Sequence, residues 1–110
     1  MSQHYFETML QDQPAIVMMG WDRPLSGFFL TIEVGAENEV EEPFYSNLTD
    51  GNLVAFRGFP PSIGYFKTKL AELGLAVPDR MFQEVEEDGC ANVGNRQFWY
   101  DEAGNILRCC

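Results

Sequence analysis

Two apolar runs joined by a turn, Ala15 to Val34 (AIVMMGWDRPLSGFFLTIEV), constrain the fold of this chain more than any other stretch. Ala15-Ile16-Val17-Met18-Met19 is uniformly apolar, with β-branched residues in its middle. Its short length, with Pro14 before it and Gly20 after it, fits a central strand or one buried on both faces. Gly20 to Gly27 contains Asp22, Pro24 and Ser26, residues that punctuate turns. Phe28 to Val34 begins as a continuous run and then alternates. Leu30, Ile32 and Val34 fall on one face; Phe29, Thr31 and Glu33 fall on the other. The pair predicts the central hairpin of a small sheet, with a loop of about six residues and the far end of the second strand wet on one side.

The remaining chain supplies helices and shorter strands. Ile63, Phe66, Leu70 and Leu73 recur at helical spacing after Ser62, a plausible N-cap, and before Gly74, a natural stop. Pro78 or Asp79 opens a second helix with Met81, Phe82 and Val85 as its apolar stripe and Gly89 as its end. Phe44–Leu48, opened by Pro43, reads as a third strand, and Gln97–Tyr100 as an aromatic strand on which Ile106–Arg108 pairs back. Leu53–Phe56 reads either as a short strand or as the close of a long loop. Apolar residues at positions 5, 6, 9 and 10 predict a short N-terminal amphipathic helix, capped by Ser2 and ended by Pro14. The expected architecture is one α+β domain over residues 1–110. A small antiparallel sheet of roughly four to six strands carries both helices, about 62–73 and 79–88, on one face.

The composition narrows the class. A chain of 110 residues that is 45% hydrophobic and 14% aromatic builds a core of its own, in a single domain. No segment approaches the length of a membrane helix. No basic, apolar, small-residue signal opens the chain, so a cytoplasmic location is expected. Cys90, Cys109 and Cys110 are odd in number and without framework spacing, which suits a reducing compartment. Seventeen acidic residues against seven basic ones give a net charge of −10. Such a chain repels nucleic acid and attracts basic surfaces.

Motifs for chemistry are sparse. The single histidine, His4, falls in the expected N-terminal helix, far from Cys90, whose upstream acids disfavour a thiolate. Zinc ligation by Cys90, Cys109, Cys110 and His4 would need a convergence that the spacing does not suggest. No phosphate loop or calcium loop is present. The carboxylates sit in polar runs, where acid–base tuning is weak. No catalytic residue, metal or cofactor is therefore expected.

Two clusters carry the functional expectations. One is acidic: Glu37, Glu39, Glu41 and Glu42 in one run, and Glu84, Glu86, Glu87 and Asp88 in another. The latter sits against the helix dipole, so it is either a solvated face or a contact surface for a basic partner. The other is a set of loop residues. Trp21, Asp22 and Arg23 act either as a core plug with a local Asx-turn or as a binding loop with an aromatic anchor. Asn92, Asn95 and Arg96, beside Trp99, either brace their own backbone or contact a ligand. The first expectation is a non-catalytic acidic protein-binding module, an inhibitor or regulator that occupies a basic, nucleic-acid-binding surface of a partner protein. The alternative is a small ligand-binding protein or enzyme, with a pocket between sheet and helices near Trp21, Arg23, Asn95 and Arg96. A homodimer through an exposed sheet edge is the third reading.

Overall fold

The computed structural model describes residues 2–10, 12–35 and 44–109, with side chains up to position 107. Within them a six-stranded mixed sheet packs against two helices. The strands are β1 (Ser2–Leu10), β2 (Gln13–Asp22), β3 (Gly27–Val34), β4 (Tyr45–Ser46), β5 (Arg96–Tyr100) and β6 (Ile106–Cys109). The helices are α1 (Gly64–Glu72) and α2 (Asp79–Ala91). Strand order is β4-β3-β2-β1-β5-β6. The β2–β3 hairpin lies inside the sheet, as its uninterrupted apolar runs require.

The N-terminal segment is strand β1, not the expected amphipathic helix. It pairs antiparallel with β2 on one side and parallel with β5 on the other, so the sheet is mixed and not wholly antiparallel. Tertiary pairing on both edges outweighs a weak local helical pattern. The same residues satisfy a strand by alternation: His4, Phe6 and Leu10 are buried, whereas Glu7 and Met9 are exposed. The parallel β1–β5 pairing arises because the chain crosses through both helices before it returns beside its first strand.

Direct cross-strand partners share a face, which assigns the layers. His4, Phe6, Val17, Met19, Leu30, Ile32 and Tyr100 turn toward the helices and meet Phe66, Leu70, Met81 and Val85 in one core. Gly20 lies inside β2 and not in the turn. A Cβ there would stand 1.9 Å from the Ser2 carbonyl oxygen and 2.8 Å from the Phe29 ring, so the strands approach this closely only over glycine. The hairpin loop is correspondingly shorter than expected, Arg23 to Ser26, with the Leu25 N–H donating to Asp22 Oδ1.

The helix boundaries also differ. α1 begins after Ile63, and Ser62 lies outside its cap. α2 runs past Gly89 to Ala91 and closes on Asn92 in the left-handed conformation, φ 50°. Gly89 serves packing: a Cβ there would lie 2.6 Å from the Phe28 ring. The third strand shrinks to two residues, and Leu53–Phe56 belongs to a 3₁₀ segment, Gly51–Phe56. Asp50 pins that segment to the body. It accepts from the Tyr45 hydroxyl at 2.6 Å, the Tyr65 hydroxyl at 2.8 Å and the Asn52 N–H at 2.9 Å. Among the described residues no helix is long and apolar enough to cross a membrane.

Candidate functional site

The first cluster of titratable groups is sealed between β1, β5 and α2. His4 and Asp88 are both fully buried. His4 Nε2 lies 2.6 Å from Asp88 Oδ2, and Nδ1 lies 2.7 Å from the Tyr100 hydroxyl. Arg96 donates to the other carboxylate oxygen of Asp88, and its guanidinium lies 4.4 Å from the Phe98 ring centroid. One assignment satisfies every group: neutral His4 donates from Nε2 to Asp88 and accepts at Nδ1 from Tyr100. Burial lowers the His4 pKa below 6.5, and the Asp88 carboxylate only partly offsets this. Arg96 already balances that carboxylate, so a protonated His4 would leave an uncompensated positive charge inside. Burial likewise pushes the Tyr100 hydroxyl up, with Glu84 and Asp88 adding to the shift.

This network has the composition of a catalytic set but not its geometry. Both His4 nitrogens are engaged, so neither is free to activate a nucleophile or bind a metal. Cys90 is an exposed free thiol on α2. Among the described residues no group of His, Cys, Asp and Glu converges as metal ligands do. The network joins α2 to β1 and β5.

Asp88 is therefore corrected from a surface contact to a core residue. It follows Met81 and Val85 on the inward stripe of α2. Glu86 and Glu87 are exposed, and Glu84 is half-buried beside Arg80 at 4.0 Å. Glu37, Glu39, Glu41 and Glu42 lie outside the described residues. Glu33, just before them, is exposed on the face of the sheet away from the helices, opposite the α2 acids.

The loop residues gather at one end of the sheet. Trp21 Nε1 donates to Asn92 Oδ1 at 3.0 Å, and the Trp21 backbone N–H donates to Ser2 Oγ at 3.0 Å. Arg96 pairs in register with the same Ser2, so Trp21 and Arg96 lie on the same side of the molecule. A Cβ added at Gly94 would stand 3.6 Å from Arg23 Nη1. Asn95 is exposed in the same α2–β5 loop. Asp22 caps its own turn and Arg96 turns inward to Asp88. Beside this corner is a cleft of about 380 Å³, lined by Trp21, Phe28, Phe59, Pro60, Gly89 and Cys90. Arg96 does not line it.

The sheet face away from the helices is the remaining feature. Tyr5 and Trp99 stack on it with ring centroids 4.4 Å apart and planes 12° from parallel. Burial, and secondarily the Glu33 carboxylate, raise the Tyr5 hydroxyl above its ordinary pKa of 10. Sequence reading missed this platform because Tyr5 was placed in a helix. Strand alternation from Gln3 to Met9 would have found it. No family model, curated protein or solved structure matches the chain.

Proposed function

We propose that this chain is a non-catalytic binding domain that engages a basic surface of a partner protein, as an inhibitor or regulator. The observation that carries the proposal is the fate of its charges. Lys67, Lys69, Arg80 and Arg96 are held against Asp79, Glu72, Glu84 and Asp88 within the fold. Glu7, Glu33, Glu86 and Glu87 are exposed and make no ion pair among the described residues. Arg23 and Arg57 are exposed as well, but with a net charge of −10 the field of the chain as a whole favours basic partners and repels nucleic acid. A cytoplasmic setting belongs to the same proposal, since Cys90 is carried as an exposed thiol.

The test is retention of purified basic nucleic-acid-binding domains on the immobilised chain, with acidic proteins as controls. Basic domains are expected to bind at low salt, and to be released by high salt or by competing duplex DNA. No retention at low salt, or retention indifferent to salt, refutes the reading. The cleft beside Trp21 favours a second reading, capture of a small apolar ligand. Quenching of Trp21 fluorescence by such a compound, lost in Phe59→Ala, would support it.

A further inference from the structure

Two clefts open along the same side of α2. The first is the one beside Trp21, where the rings of Trp21, Phe28 and Phe59 stand against Gly89 and Cys90. The second, of about 450 Å³, is lined by Ser62, Ile63, Lys67, Gln83 and Glu86 among others. Their walls are continuous in sequence. Pro61 of the first cleft adjoins Ser62 of the second, and Glu86 of the second stands one helical turn before Gly89 and Cys90 of the first. One stripe of α2 therefore borders both clefts, and the segment from Phe59 to Lys67 borders them from the other side, with the β2–β3 hairpin closing the aromatic end. That end is built on glycine. A Cβ at Gly27 would stand 2.4 Å from the Phe59 ring, and one at Gly89 would stand 3.2 Å from Trp21. The bond from Trp21 Nε1 to Asn92 fixes the indole further.

Among the described residues, the charged side chains lining the two clefts are Lys67, Asp79 and Glu86. Lys67 and Asp79 face each other at 3.8 Å, at the end away from Trp21. Glu86 is exposed and makes no ion pair among the described residues. The exposed arginines, Arg23 and Arg57, line neither cleft, and Arg23 Nη1 lies toward Gly94. An unpaired carboxylate thus stands about 5–6 Å along the helix axis from the aromatic end, three to four residues at about 1.5 Å each. In an extended chain, side chains two residues apart point the same way and lie about 7 Å apart. We infer that the two clefts act as one groove for an extended segment of a basic partner protein. An aromatic side chain of that segment fills the first cleft, and a lysine or arginine two residues away meets Glu86. This rests on the reading of the chain as a binder of basic proteins and names the site and the partner's motif. A neutral apolar compound would leave Glu86 unmet, and a second copy is opposed by its own net charge of −10.

The probe is a short glycine–serine peptide carrying phenylalanine and arginine two positions apart, made in both orders. Controls carry the two side by side, or lack one of them. Affinity is measured by calorimetry, and occupancy by the rate of Cys90 alkylation, read by peptide mapping so that Cys109 and Cys110 do not contribute. One order of the spaced pair is expected to bind tightest and to slow alkylation of Cys90. Glu86→Gln, a change at an exposed position, should weaken that peptide roughly two- to fivefold, as loss of one exposed ion pair would, and Glu87→Gln should leave it unchanged. Equal affinity for the side-by-side pair overturns the inference, as does indifference to Glu86→Gln. Equal protection of Cys90 by the peptide without arginine also overturns it and returns the cleft to a small apolar ligand. Alkylation that slows with protein concentration alone overturns it in favour of a second copy. Each of these leaves salt-sensitive retention of basic domains standing; absence of that retention overturns the broader reading as well.

Discussion

Asp88→Ala is the sharpest test of whether the buried network holds α2 to the sheet. The change strands the His4 Nε2–H, a donor with no solvent exposure, without an acceptor, which costs about 1–3 kcal/mol. It also removes the Arg96 contact, but that side chain keeps 35% of its surface, so water replaces most of the lost interaction and the added cost is about 0–1 kcal/mol. The sum centres near 2.5 kcal/mol, or about 10 °C in Tm for a domain of this size. Asp88→Asn should cost roughly half as much, because one amide oxygen accepts from His4 while the amide N–H₂ confronts the Arg96 guanidinium. Glu87→Ala, one residue away and exposed, should change stability by no more than about 0.5 kcal/mol. Thermal melts and urea titrations measure all three; the urea midpoint should move with the slope unchanged. If Asp88→Ala melts with Glu87→Ala, the network is not holding the helix and the account of Asp88 fails.

Stability should also depend on pH through His4. Its folded-state pKa lies below 6.5, so the unfolded chain takes up its proton first as pH falls. The contribution is fully present above 6.5 and is lost as pH drops toward the folded value; His4→Gln should flatten that part of the Tm profile, and an unchanged profile would count against it. Gly89→Ala should destabilise α2 despite the usual gain of about 1 kcal/mol from alanine in a helix, because its Cβ meets the Phe28 ring, whereas Gly64→Ala, with only Ser62 Oγ at 3.5 Å, should stabilise α1. The opposite ordering of the two melting temperatures would show that the α2–β3 contact is looser than described. Tyr65→Phe, which removes one phenol from Asp50, should cost about 1 kcal/mol and speed proteolysis in Gly51–Phe56; unaltered cleavage would detach Asp50 from that role.

Much of the architecture was legible in local pattern. The Ala15–Val34 hairpin, the Ile63–Leu73 stripe and the Met81–Val85 stripe carry their partners' requirements in their own periodicity, and each became the element expected, within a few residues at its ends. The N-terminal strand was not legible, because Tyr5, Phe6, Met9 and Leu10 satisfy a helical and an alternating pattern alike. What decides between them is the pair of neighbours, β2 and β5, and β5 arrives only after both helices. The parallel pairing was hidden for the same reason. Gly20 misled in a different way: a glycine after an apolar run reads as a turn, but here it marks the place where the Ser2 backbone and Phe29 close over β2.

The acidic run shows why the site was harder than the fold. Glu84, Glu86, Glu87 and Asp88 look alike as a string, and charge counting treats them as one surface. Helical geometry does not: Asp88 falls seven residues after Met81 and three after Val85, on the buried stripe. A carboxylate in that position must find a proton donor or a cation, and the only histidine in the chain lies 84 residues away in sequence. An acid on an apolar stripe was thus the local signal for the network, readable before its partner was known. The open face has a comparable logic. Once β1 is a strand, alternation alone puts Tyr5 and Glu7 on the side away from Phe6, and the pairing of Tyr5 with Trp99 follows from parallel register. Which side chains share that face thus depends on strand register more than on residue content, and a one-residue slip of β1 would bury Glu7 and Tyr5 and expose His4.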